Sequence, residues 1–403
     1  MHCTSGASDL EEIREEIHRQ QKLIEQLTQL INEKENVHAE AVTHYVKNEV
    51  DRALENQNKI FSLRSRISNL SIKGDFRIRY ENRLLDTGGS RDRFRQRFRL
   101  GFIWKADESL EIGAGFKTGE ADKTGSASAT SANDTYSSGS PFNNGDYFID
   151  YAYIKHKFAD VWSLTVGQQK NPYITGPVIF DSDVRPVGLT VEYNPPESLL
   201  FCKSGVYVVQ TFDEQENDDA NLLAFQTGLK YDGFLSSISY FYFDSASSQD
   251  VLETGQNEVN LLVGYAEYSG KIDPFNYKFF AEYSLNLAAD KDGPSQVTGV
   301  SDPERENKAF IAGAEFEVNE YSLEYSYVHV DADSYFAPLT SGSAGSVIKN
   351  SNRANNVKAH RVRLEYKFTK NSSVCMTYYF AEALKRGDGK HGELFQVDFR
   401  YKF

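Results

Sequence analysis

From Ser71 to Phe403 apolar and polar residues alternate in short runs, as where Phe76, Ile78 and Tyr80 are set between Asp75, Arg77, Arg79 and Glu81. A period of two puts one set of side chains on each face of a strand, so the runs predict strands with one apolar and one wet face. About sixteen can be counted. The connections between them alternate between short and long. Short turns fall near 106–109, 159–160, 194–198, 232–233, 271–276, 318–320 and 369–372, and longer polar stretches include 119–145, 211–220, 288–307 and 332–356. A closed membrane barrel has short turns at one rim and long loops at the other, a parity that a soluble sandwich has no reason to keep. The predicted fold is all-β, an antiparallel transmembrane barrel of about sixteen strands. An even strand number returns both barrel ends to the short-turn rim.

Composition agrees with a barrel wet on one side. Tyr (24) and Phe (27) are abundant, yet the mean hydropathy is -0.53. No run of about 18 apolar residues occurs, so no spanning helix is available and only a closed barrel could carry this chain across a bilayer. A net charge of -14 offers no general attraction to a phosphate backbone, and nucleic acid is not an expected partner. Cys3, Cys202 and Cys375 form no C-x-x-C pair and have no His at ligand spacing, so they read as incidental or structural, with no metal and no cofactor expected. Met1 to Ser8 has neither the basic start nor the apolar stretch of an export signal, which suggests a mature or a truncated start.

Ahead of the barrel the period is seven. Leu10, Ile17, Ile24 and Ile31 recur at heptad spacing, with Ile13 and Leu27 at the complementary positions and Gln20 interrupting them. This is a short coiled-coil seam, and Ile paired with Ile or Leu suits a trimer. A lone amphipathic helix packed on the barrel is the simpler alternative. Helical composition persists to about Asn69, so the predicted organisation is a disordered start (1–8), a helical, coiled-coil-forming segment (9–69) and the barrel (71–403).

The last run places Phe395, Val397, Phe399, Tyr401 and Phe403 on one face and ends on an aromatic residue. In Phe399, Tyr401 and Phe403 it resembles the terminal signal by which outer-membrane barrels are recognised for assembly. The resemblance extends to a family of bacterial porins with an N-terminal helical segment at Arg93 to Gly101, at Val166 to Pro172 and at Phe180 to Pro186, and covers most of Ser71 to Phe403. It implies a bacterial outer-membrane location, lipid around the barrel and a helical segment in the periplasm.

One predicted strand carries Arg93, Arg95, Arg97 and Arg99 on one face and Phe94, Phe98, Leu100, Phe102 and Trp104 on the other. A basic side chain at the bilayer midplane costs about 2–4 kcal/mol, so the arginines are expected to line the lumen. Arg77 and Arg79 extend this ladder onto the first strand, and closure of the barrel would add Arg400 and Lys402, with Arg361 and Arg363 two strands further round. The loop carrying Asp181, Asp183 and Arg185 is the candidate to fold inward, where acidic groups facing an arginine wall would create a transverse field. The alternative is that these groups form ion pairs that only hold the wall together. Aromatic residues such as Tyr147, Tyr151, Tyr153, Tyr240, Tyr242, Tyr378 and Phe380 suit interfacial girdles, or a sugar-binding track if they face inward.

No catalytic motif was found: there is no G-x-S-x-G, no H-E-x-x-H, no Walker loop and no dinucleotide fingerprint. A Ser and His pair using His329 or His360 is a weaker possibility. Acidic runs such as Asp213, Glu214, Glu216, Asp218 and Asp219 suit solvated surface or weak divalent-cation contacts. The expected function is a passive, water-filled channel for ions and small hydrophilic solutes, trimeric and not an enzyme. The alternatives are an anion-specific channel, for phosphate or organic acids, and a structural tether that uses Leu10 to Ile31 to contact the cell wall.

Overall fold

The structure, a computed structural model, describes residues 5–33, 45, 47–57, 69–120, 131–136, 145–176, 179–196, 198–211, 219–244, 259–297, 299–336, 343–348, 355–385 and 391–403. It falls into two units, Met1–Asn69 and Leu70–Phe403. In the first, helix α1 (Ser5–Glu33) carries the heptad positions. Ile13 and Ile17 are half-buried, Leu23, Ile24 and Leu27 are exposed, and the side chains of Leu10 and Ile31 lie outside the described residues. Among the described residues no helix is long and apolar enough to cross a membrane.

The second unit is one antiparallel sheet. Its first half runs β1 (Leu70–Leu84), β2 (Ser90–Lys105), β3 (Leu110–Gly119), β4 (Asp134–Thr135), β5 (Asp146–Ala159), β6 (Trp162–Gln168), β7 (Val187–Tyr193), β8 (Leu200–Gln210) and β9 (Ala220–Tyr231). The second half runs β10 (Phe234–Phe243), β11 (Asn260–Ile272), β12 (Phe275–Asn286), β13 (Lys308–Val318), β14 (Tyr321–Val330), β15 (Val357–Lys367), β16 (Ser372–Ala383) and β17 (His391–Lys402). Strands pair with their chain neighbours, and β1 pairs with β17, so the sheet closes. Strand β4 is a two-residue bridge that pairs with the part of β2 extending beyond β3, which leaves sixteen staves.

The turns 106–109, 160–161, 194–199, 232–233, 273–274, 319–320 and 368–371 share one rim, the rim at which β1 begins and β17 ends. At 232–233 an Asp-Gly pair, both at positive φ, makes the tight hairpin turn that matches strand twist. The connections that follow β3, β6, β8, β10, β12 and β14 leave from the opposite rim, as do two brief ones beside the closure, after β1 and after β16.

Alternation sorts the side chains. On β9, Leu223, Phe225 and Leu229 are exposed, while Leu222, Ala224 and Gln226 are buried. Ile238, Phe279, Leu323, Met376 and Phe399 continue the exposed apolar band, the face that lipid would cover. Tyr147, Tyr240, Tyr242 and Tyr378 also lie on this outer face. Tyr151 and Tyr153 do not. A bulge skips Asp150 in the pairing of β3 with β5, so the alternation changes sides there and Tyr151 turns inward, where it is buried.

Candidate functional site: the inner wall and its infolded loops

The ladder faces inward because its outward neighbours are the apolar residues of the same strands. On β2, Phe94 and Trp104 are exposed while Arg93, Arg95, Arg97 and Arg99 carry side chains no more than 25% exposed. Strand register then stacks Arg77 beside Arg97 and Arg400, and Arg79 beside Arg95 and Asp398.

Carboxylates of the same parity sit among the guanidiniums. Asp398 takes Arg79 at 2.5 Å and Arg400 at 2.6 Å, with Arg77 at 3.9 Å. Glu81 takes Arg93, Arg83 at 2.8 Å and Arg95 at 3.8 Å. Asp75 bridges Arg97 (2.7 Å) and Arg99 (2.6 Å). Two strands away, Glu324 holds Arg361 (2.8 Å) and Arg363 (3.4 Å), and Glu365 pairs with Arg363. Arginines thus outnumber the carboxylates between them two to one, and each acid is shared. The Nε groups of Arg77, Arg95 and Arg361 have no hydrogen-bond partner among the described residues. The patch is cross-linked by ion pairs and remains net positive.

The described residues of the connection between β6 and β7, 169–176 and 179–186, run inside the barrel. At one end the connection is fixed to the wall of β8, β9 and β12. The Tyr173 and Tyr207 hydroxyls are 3.0 Å apart, the Gln226 amide donates to Ile174 O (2.9 Å) and accepts from Ile174 N (3.0 Å), and Gly176 N donates to the buried Glu282 carboxylate. At its other end Asp183 accepts from Arg99 Nη1 (2.9 Å) and from Ala132 N (3.2 Å), and Arg185 pairs with Asp150 on β5 (3.0 Å). Burial opposes ionisation of Asp183, but Arg97, Arg99 and Arg185 outweigh it and hold the carboxyl below its ordinary value. Asp181 Oδ1 caps Asp183 N at 2.8 Å. Residues 131–133 also reach inward, and Asn133 accepts from Arg77.

The loop's apolar residues Tyr173, Ile179, Phe180 and Val184 are buried with Tyr207, Leu222, Phe241 and Leu261, inward-facing positions of β8 to β11. The inner wall is therefore divided between an arginine face and an apolar face covered by infolded chain.

Several of these groups were not anticipated. Asp75, Glu81 and Asp398 share parity with the arginines and could have been found from it; Gln226 and Glu282 lie 52 and 106 residues from their loop partners, and nothing local marks them. The histidines of the weaker catalytic reading have other partners: His360 Nδ1 lies 2.8 Å from the Tyr325 hydroxyl and His329 pairs with Asp331. Among the described residues no cluster of His, Cys, Asp and Glu could hold a metal. Cys3 and the acidic positions 213–218 lie outside the described residues, whereas Cys375 accepts from Arg363 Nε at 3.0 Å.

Comparison with known proteins agrees with the barrel fold. Residues 82–244 match the model of a family described as "Putative porin". OmpF of Salmonella typhi, solved in complex with daunomycin, superposes with a TM-score of 0.55 at 16% identity, covering 83% of this chain and 97% of that one. OccK8 (OprE) of Pseudomonas aeruginosa superposes with a TM-score of 0.50 at 12% identity, covering 83% and 98%. No curated protein matches the chain by sequence. In sequence over residues 82–244 the chain is similar to that porin family, and its closed sixteen-stave barrel has the fold of the bacterial outer-membrane porins.

Proposed function

We propose that the barrel is a passive, water-filled channel of the bacterial outer membrane for ions and small hydrophilic solutes, with its narrowest part between the arginine face and the loop bearing Asp181, Asp183 and Arg185. The observation that carries this reading is the path of that loop, tied to β9 and β12 at Ile174 and Gly176 and to β2 at Asp183. Fixed charges on two sides of a constriction orient solutes and discriminate ions without an energy source or a cofactor. The excess of guanidinium over carboxylate favours anions, so small phosphates or organic acids are the second reading within transport. Purified, folded protein in a planar bilayer should give stepwise currents, with saturable block by one anion if the second reading holds.

The exposed apolar stripe on α1 is suited to helices of further copies, which supports a homotrimer with this segment in the periplasm. The tether differs in its readout: deleting Leu10 to Ile31 would weaken the cell envelope and leave conductance unchanged, and folded protein that never conducts would favour it.

A further inference from the structure

External loops of a barrel ordinarily stand in solvent, yet two described stretches of the connection between β14 and β15 are sealed inside the rim. Residues 331–336 are all buried, as are Ala344, Val347 and Ile348. The first stretch is bound to the wall of β10 and to the neighbouring loop. Phe336 stacks on Phe243 with ring centroids 4.4 Å apart and planes 17° apart. Gln296 Nε2 donates to Tyr335 O (2.9 Å), and Asp333 accepts from Ser295 Oγ (2.6 Å) and Gln296 N (2.7 Å).

The second stretch contains the turn Gly345–Val347, which packs on β17. Val347 O accepts from Asp86 N in the 85–89 connection at 3.0 Å. Opposite it Gly392 has no side chain, and a Cβ there would lie 2.5 Å from Val347 O and 2.7 Å from Val347 Cβ. Backbone can approach this closely only at glycine. The two attachments are on strands β10 and β17, separated around the barrel by β11 to β16.

We propose that residues 331–336, seated at Phe243, and residues 343–348, seated at Gly392, act together as a strap that narrows the loop-bearing mouth from two walls and sets the size limit of the pore. The inference rests on the channel reading and adds to it the residues that determine which solutes enter. Each seat has independent physical content, an aromatic stack on one side and a glycine notch on the other, as expected for a segment held against two walls. In this account Phe243, Phe336, Val347 and Gly392 determine specificity without touching the charged constriction.

The test compares native protein with Gly392→Leu, which fills the notch, and with Phe336→Ala, which removes the stack from the loop and leaves every strand intact. Folding is read from heat-modifiable migration in detergent, and function from single-channel conductance and the largest neutral oligosaccharide admitted to proteoliposomes. If the strap sets the limit, both variants admit larger oligosaccharides and conductance rises about twofold, because current follows the open section of the mouth. Unchanged conductance and unchanged size limit in folded, conducting variants would overturn the strap. Absence of current from folded native protein would instead overturn the channel reading on which it rests.

Discussion

The two halves of the inner wall solve the same problem by opposite means. On β1 and β2, and on the parts of β15 and β17 that carry Arg361, Arg363, Asp398 and Arg400, charged side chains fill the inward positions, and shared carboxylates hold together arginines that outnumber them. On β9 to β11 they include Leu222, Phe241, Phe243 and Leu261 beside the polar Gln226, Ser237 and Ser239, and are covered by Tyr173, Phe180 and Phe336 from infolded loops. A charged wall can stay wetted, whereas an apolar wall in water is stable only when something covers it. The contrast explains why infolded apolar residues gather on the second wall, while the loops meet the first through Asp183 and Asn133.

The two walls should differ most in how their stability responds to mutation. Asp398→Ala leaves Arg77, Arg79 and Arg400 without their shared anion and should lower unfolding stability in detergent by about 3–5 kcal/mol. Phe241→Ala should cost about the same through a cavity. The faces separate in the second mutation: Asp398→Ala with Arg79→Ala should recover part of the loss, a coupling read in a double-mutant cycle, while no deletion partner rescues Phe241→Ala. Equal non-recovery on both faces would refute the distinction.

A smaller effect is expected at the loop anchor. Gln226→Ala removes both hydrogen bonds to Ile174 and should cost about 1–3 kcal/mol, seen as open-channel noise with the barrel still folded. Quiet, native-like openings would mean that the anchor does not position the loop.

The mouth provides a dependence on pH. Asp333 lies beyond β14, and burial pushes its carboxyl up to about 6, with Glu306 and Asp331 nearby adding negative charge against the hydrogen bonds from Ser295 and Gln296. Glu306 is itself paired with Lys385, and Asp331 with His329. Because the seated form favours the protonated acid, seating strengthens as pH falls through about 6 and weakens as it rises. Conductance should therefore decline on acidification from about pH 7 to pH 5 and be less pH-dependent in Asp333→Asn. The opposite slope in native protein would contradict this sign. The smallest effect is expected from removing Leu10 to Ile31, which should alter oligomeric state on sizing while leaving the current of each barrel as it was.

How much of this could be read in the sequence follows from the range of the interactions. Alternation along β2 and the Asp-Gly turn at 232–233 are local, so strands and turns were legible. The face taken by Tyr151 and Tyr153 could not be read, because a single bulged residue reverses parity without altering composition. The anchors Gln226 and Glu282 and the notch at Gly392 were illegible because their partners are brought to them only by closure of the barrel. A glycine in a strand carries no mark of the loop it will meet.

Current is expected to pass along the arginine face. Reversal potential in a salt gradient, measured for single channels of native protein and of a variant with Arg95→Gln and Arg97→Gln, tests it most directly. Anion preference is expected in the native channel, with a clear shift toward cations in the variant and conductance retained. An unchanged reversal potential in a folded, conducting variant would show that the ions travel elsewhere and that the arginines serve only to hold the wall.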